Sequence, residues 1–73
     1  MSEKEMLAMC DVLAVFNDNE RTPCSIYEKK DFDDFSICLN NQYAYGYIWE
    51  CYELKPIIVM DYGEDNIGRW RKL

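Results

Sequence analysis

Four cysteines stand at positions 10, 24, 38 and 51, spaced 14, 14 and 13 residues apart. Thiols can hold zinc, form disulfides or act as nucleophiles, and each use needs particular neighbours. No two of these cysteines are close enough for a zinc knuckle, and the chain has no histidine. The blocks around them do not resemble one another, so the even spacing is not a repeat. Without histidine, Cys–His and Ser–His nucleophiles are excluded, and the usual acid–base group at neutral pH is missing. An even cysteine count would allow two disulfides in a secreted domain. The opening "MSEKEMLAM" is charged and lacks the apolar stretch and cleavage site of a secretion signal. The expectation is therefore a reduced, cytoplasmic, metal-free and cofactor-free monomer whose cysteines behave as small hydrophobes.

Three further groups could carry function. Asp31, Asp33 and Asp34 in "DFDDF" lack the spacing of a calcium loop. They read as a solvated acidic turn, or as a site that meets a basic groove with Phe32 and Phe35 beside it. The stretch "NNQYAYGYIWECYE" places Tyr43, Tyr45, Tyr47 and Trp49 on alternate residues, followed by Tyr52. In a strand the first four point one way, with Cys51, while Ala44, Gly46, Ile48, Glu50 and Tyr52 point the other. The small residues of the second set suit a closely packed helix. The tyrosine set is then the outer face, unless it is itself the covered one; either both sides are partly buried with the hydroxyls reaching the rim, or the set is an exposed face offered to a partner, since Tyr and Trp are enriched at binding hot spots. Finally, "GRWRKL" gathers Arg69, Trp70, Arg71 and Lys72. It reads as a solubilising end or as an arm in which Trp70 either docks back or anchors a partner while the arginines reach anions. Gly46, Gly63 and Gly68 are isolated, so there is no phosphate loop, and no enzyme is expected.

Charge separates these readings. The 73 residues hold 8 Lys and Arg against 14 Asp and Glu, a net charge of −6. Three of the basic residues lie in the last five, so residues 1–67 hold five basic and fourteen acidic groups, a net −9. Such a surface repels nucleic acid, whose binding depends on Lys and Arg replacing counterions. It favours encounter with a basic protein surface instead. Base stacking on the tyrosines would need a positive groove, which only "RWRK" could supply. No apolar run reaches the roughly 20 residues of a membrane span.

The elements that must position these groups follow from periodicity. Ser2 with Glu5 fits a capping box, and Met6, Met9, Cys10, Leu13 and Phe16 recur at helical spacing, which predicts a helix over residues 2–17. "NDNERTP" ends it. "CSIYE" is open between strand and short helix, with strand preferred, and "KKDFDDF" follows as a charged turn. Phe35, Ile37 and Leu39 alternate with Ser36 and Cys38, predicting a strand that turns at "NN" and returns as the aromatic strand. "LKP" breaks the run at Pro56, and "IIVMDY" is a further strand. "GEDNIGRWRKL" reads as a tail or one short helix. The fold class is α+β, an N-terminal helix packed on an antiparallel sheet of three or four strands, with a compact domain over residues 1–67 and a basic tail over 68–73. Loss of the tail is then expected to leave the core intact, whereas Leu13→Ala, within the helix stripe, should unfold so small a domain.

In size, acidity, single helix, tyrosine-rich sheet and missing catalytic set, the whole chain resembles the small phage-encoded regulators that bind bacterial RNA polymerase. The resemblance implies stoichiometric occupation of a polymerase surface in the host cytoplasm and inhibition of transcription initiation. Anti-CRISPR proteins and nuclease immunity proteins share the same general features and imply another host machine as the target. The partner-binding residues expected from the sequence itself are Asp31, Asp33, Asp34, Tyr45, Tyr47, Trp49, Arg69, Trp70 and Arg71.

Overall fold

The structure is a computed structural model that describes residues 2–62 and 64–73. Gly63, read from the sequence as a pause before the C-terminal segment, lies outside the described residues. The chain forms a short helix α1 (Glu3–Met9) and five strands: β1 (Val12–Asn17), β2 (Ser25–Glu28), β3 (Gln42–Glu50), β4 (Glu53–Tyr62) and β5 (Gly68–Lys72). All neighbours pair antiparallel, in the order β2-β1-β3-β4-β5. The α+β class is as expected, with five strands instead of three or four.

Helix α1 starts as expected, with the Ser2 hydroxyl accepting from the Glu5 amide at 3.2 Å. It ends seven residues later at Cys10, not at Phe16. Residues 12–17 are strand β1 at the centre of the sheet. Leu13 and Val15 face one side, Ala14 and Phe16 the other, and all four are buried. A strand buried on both faces shows a continuous apolar run, which periodicity alone does not separate from a buried helix.

The register divides the sheet into two faces. Leu13, Val15, Ala44, Gly46, Ile58, Met60 and Trp70 share the covered face. Met6 and Cys10 close over it from the N-terminal segment, and Phe32, Phe35 and Ile37 pack against the same cluster from the middle of the chain. A Cβ at Gly46 would lie 2.6 Å from the Cys10 sulfur and 2.6 Å from Ile58 Cγ1, so glycine is what lets the chain at Cys10 approach β3.

Residues 35–39 do alternate, with Phe35, Ile37 and Leu39 half-buried and Ser36 and Cys38 exposed, but they form no strand. They lie on the covered face as an irregular layer, where Phe35 meets Tyr27 and Trp70 at ring distances of 5.5 and 5.6 Å. The hairpin partner expected for the aromatic strand is therefore not this segment; β3 pairs with β1 and β4. Pro56 does not break β4. It stands opposite Tyr47 where the register slips by one residue, at a bulge, and beyond the reach of β5. Both are places where a missing amide costs little.

Residues 68–72, expected as tail or helix, are edge strand β5. Trp70 is 5% exposed and belongs to the core. Its outward-pointing amide, which an edge strand would leave unpaired, donates to the Glu3 carboxylate of α1 at 3.0 Å.

Candidate functional site

The opposite face of the sheet carries Phe16 and Ala14 of β1, Ile26 of β2, Tyr43, Tyr45, Tyr47 and Trp49 of β3, and Val59 of β4. Helix α1 and the 3₁₀ turn Lys29–Asp34 both contribute their packing side chains to the other face. The alternation read from "QYAYGYIWE" is thus correct in phase: the small residues lie under the covering layer, and the aromatics form the open face.

The rings on this face pack on one another. Phe16 stacks on Tyr43 at 5.3 Å and meets Tyr45 edge-on at 5.8 Å. Tyr43 and Tyr45 are 5.7 Å apart, edge to face, and Tyr45 and Tyr47 are 6.2 Å apart. Such pairs add about 0.5–1.5 kcal/mol each beyond burial. They leave Phe16 buried and the tyrosines half-buried with no second layer above them. The Tyr43 hydroxyl donates to the Glu20 carbonyl at 3.2 Å, tying the turn 18–24 to the rim. Burial, followed by the neighbouring Tyr45 and Tyr43, pushes the Tyr47 hydroxyl above its usual pKa. Trp49 is 58% exposed at the far end of the row, its amide held by the Asp11 carboxylate at 2.9 Å.

Beyond Trp49 the β3–β4 hairpin turns on Cys51 and Tyr52, both with positive φ (53° and 65°). A two-residue turn of this kind favours Asn-Gly, because β-carbons resist the left-handed region. Tyr52 is fully exposed as well. Cys51 and Tyr52, expected on the two faces of the aromatic strand, are thus the hairpin turn itself. The signal available for the tip was the missing glycine between two strands.

The expected site residues fall into separate groups. Tyr45, Tyr47 and Trp49 share the open face, and the register puts Arg69 and Arg71 of β5 on it as well, opposite Asp61 and Val59 of β4. Asp31, Asp33 and Asp34 lie on the 3₁₀ turn, in the layer over the covered face. Trp70 is in the core, so of its two expected roles docking back holds and partner anchor is corrected: an indole packed against Phe35 and the core has no surface to give. Arg69 and Arg71 flank it but do not form a free cationic arm. Arg69 makes a two-pronged contact with Asp65 at 3.2 and 2.6 Å, and Arg71 reaches Asp61 at 3.0 Å. The Arg69 contact holds the Asp65 carboxyl below its usual range.

Pairing makes the molecule more one-sided than its composition. Lys29, Lys30 and Lys55 also contact carboxylates, of Asp11, Glu28 and Glu50. Among the described residues, Lys4, Arg21 and Lys72 are the cations outside ion pairs, against nine carboxylates. Five of those nine (Glu3, Glu5, Asp31, Asp33 and Asp34) belong to α1 and the 3₁₀ turn. The protein thus has an acidic layer on one side and an aromatic face on the other.

The four cysteines are unpaired, with Cys10 buried and the other three exposed. Burial, with Asp11 beside it, pushes the Cys10 thiol up to about 11. Among the described residues, no group of three or more His, Cys, Asp or Glu side chains is placed to hold a metal ion. No helix there is long and apolar enough to cross a membrane. Compared with protein-family models, curated proteins and solved structures, the chain gives no match.

Proposed function

We propose that the chain is a small protein-binding regulator that acts by occupying a partner's surface through its open aromatic face. The observation that carries this reading is a row of packed tyrosines continuing into an exposed Trp49 and a strained, exposed Tyr52, with both covering segments on the other side of the sheet. Rings already locked against one another lose little entropy on contact, and their hydroxyls keep the face wettable when it is free. The acidic layer supports encounter with a basic partner by long-range attraction, which acts on the rate of association. Neutralised arginines, and nine carboxylates outside ion pairs among the described residues, speak against the nucleic-acid alternative.

The partner implied by the resemblance is bacterial RNA polymerase, and inhibition of transcription initiation is the proposed outcome. The test is gel filtration of the protein mixed with purified bacterial polymerase, followed by promoter-dependent transcription in vitro. Co-elution of wild type but not of Trp49→Glu, with loss of transcripts, is the expected result. If wild type does not co-elute, the polymerase is not the partner. Capture from bacterial lysate with wild type and Trp49→Glu as paired baits then tests the face itself.

A further inference from the structure

The layer over the covered face is incomplete. Helix α1 has seven residues, about 10 Å of helix, too short to cover strands of nine and ten residues, each about 30 Å long. What it leaves is a cavity of about 110 Å³ between Met6 and Met9 of α1, Ile48 of β3, Ile57 and Ile58 of β4 and Lys72 of β5. Ile57 is the unmatched residue of the β-bulge, where Ile58 pairs with Gly46 and Pro56 with Tyr47. Neighbouring residues of a regular strand point to opposite faces, and the bulge is what lets both isoleucines line one cavity.

The lining defines the guest. An apolar cavity stays dry, and one of about 150 Å³ holds benzene, so this one takes a hydrocarbon group of about four carbons. Met9, 51% exposed, forms its lip, and a methionine repacks readily around what it touches. Lys72 is the charged member of the lining. By register it lies opposite Ile58, on the covered face, while Arg69 and Arg71 on the other face are held by Asp65 and Asp61. Nine carboxylates of the described residues stand outside ion pairs, yet none of them is within ion-pair distance of Lys72. A lysine stem can line an apolar cavity while its ammonium stays in water at the mouth. A guest that enters with a hydrocarbon group and carries a carboxylate a few bonds away satisfies both parts of the site. A cationic head would be repelled by the ammonium, and a neutral one would leave it unpaired.

We propose that this cavity binds a small aliphatic monocarboxylate, its hydrocarbon end among Met6, Met9, Ile48 and the two isoleucines of β4, and its carboxylate on the Lys72 ammonium. The site lies on the other side of the sheet from the aromatic face and stands independently of the role proposed for that face.

The experiment is an NMR titration of the full chain, its methionine methyls labelled with carbon-13, by 4-methylpentanoate. The neutral 4-methylpentanamide has the same hydrocarbon end, and acetate is the head alone. A short peptide ending in leucine carries the same chemistry on a polypeptide terminus. Lys72→Met keeps the apolar stem without the charge, and its melting temperature is measured to confirm an intact fold. The Met6 and Met9 signals should shift saturably at millimolar 4-methylpentanoate, with Met60, opposite Trp70, as the unmoved control. The acid should bind wild type about three- to five-fold tighter than the amide, the size of an exposed ion pair. Acetate should move neither signal, and Lys72→Met should bind acid and amide equally. No saturable shift at millimolar concentration, or shifts as large at Met60, would overturn the inference. So would equal binding of acid and amide to wild type, a result that does not depend on the variant, or a preference that survives in folded Lys72→Met. Tighter binding of the leucine peptide than of the acid would assign the cavity to a partner's chain terminus and overturn the free acid as its ligand.

Discussion

At the scale of single residues, Cys10 and Gly46 hold the N-terminal segment against the sheet. Gly46→Val adds bulk where a β-carbon alone already meets sulfur and Ile58 at 2.6 Å. It should destabilise the fold by about 1–3 kcal/mol, read from chemical denaturation. Cys10 gives a pH signature. Its thiol titrates near 9.0 in the unfolded chain and is pushed up to about 11 in the folded one, because the buried site favours the neutral form. Between these values the folded state binds more protons, so stability is complete below pH 9 and falls as pH rises toward 11. The loss attributable to Cys10 should be about 2–3 kcal/mol. Melting temperatures measured across that range should fall less steeply for Cys10→Ala than for wild type. Equal slopes would show that Cys10 is not the responsible group. Which aromatics share a face was legible, since alternation fixes that, but which of the two faces is open was not. The burial of Trp70 was only half legible: docking back was one of its two readings, but nothing near position 70 announces that distant Glu3 and Phe35 will meet it.

At the scale of elements, the N-terminal cap and strands β2, β3 and β4 could be read from local pattern, and β1 and β5 could not. Strand β1 is apolar on both sides, which removes the alternation that marks a strand. Strand β5 is five residues of mostly charged sequence that becomes regular through pairing with β4 and closure by α1. Leu13→Ala should still cost about 2–5 kcal/mol, now as a cavity in the central strand. Removal of residues 68–73 is expected to unfold the protein, not to leave it intact. The loss of Trp70 alone is worth about 3–5 kcal/mol, comparable with the roughly 3–5 kcal/mol a core this small supplies in total. Circular dichroism of the truncated chain checks this, and a native-like melt would place β5 outside the core. The hairpin tip makes the opposite prediction. Cys51→Asn with Tyr52→Gly relieves two left-handed side-chain residues and should raise stability by about 1–3 kcal/mol. If the tip serves binding, the same variant should bind its partner less well, the usual trade where a local rule is broken for function.

At the scale of the whole molecule, the proposed binding role divides one task between the acidic layer, which would set the rate, and the aromatic face, which would set the residence. Charge reversal at Asp33 and Asp34 should slow association and reduce its salt dependence, with dissociation nearly unchanged. Changes on the open face should act mainly on dissociation, because desolvated aromatic anchors are felt there. This division was only half legible in the sequence: the excess of acid was plain, but its placement opposite the tyrosines depends on which face the irregular segment 29–41 covers. The most direct test is surface-plasmon kinetics with the captured partner immobilised, comparing wild type, Trp49→Glu and Asp33→Lys/Asp34→Lys at matched melting temperatures. If the open face is the contact surface, Trp49→Glu dissociates at least about ten-fold faster, equivalent to about 1.4 kcal/mol, while the aspartate variant changes the association rate alone. A Trp49→Glu protein that associates and dissociates as wild type does would contradict that assignment.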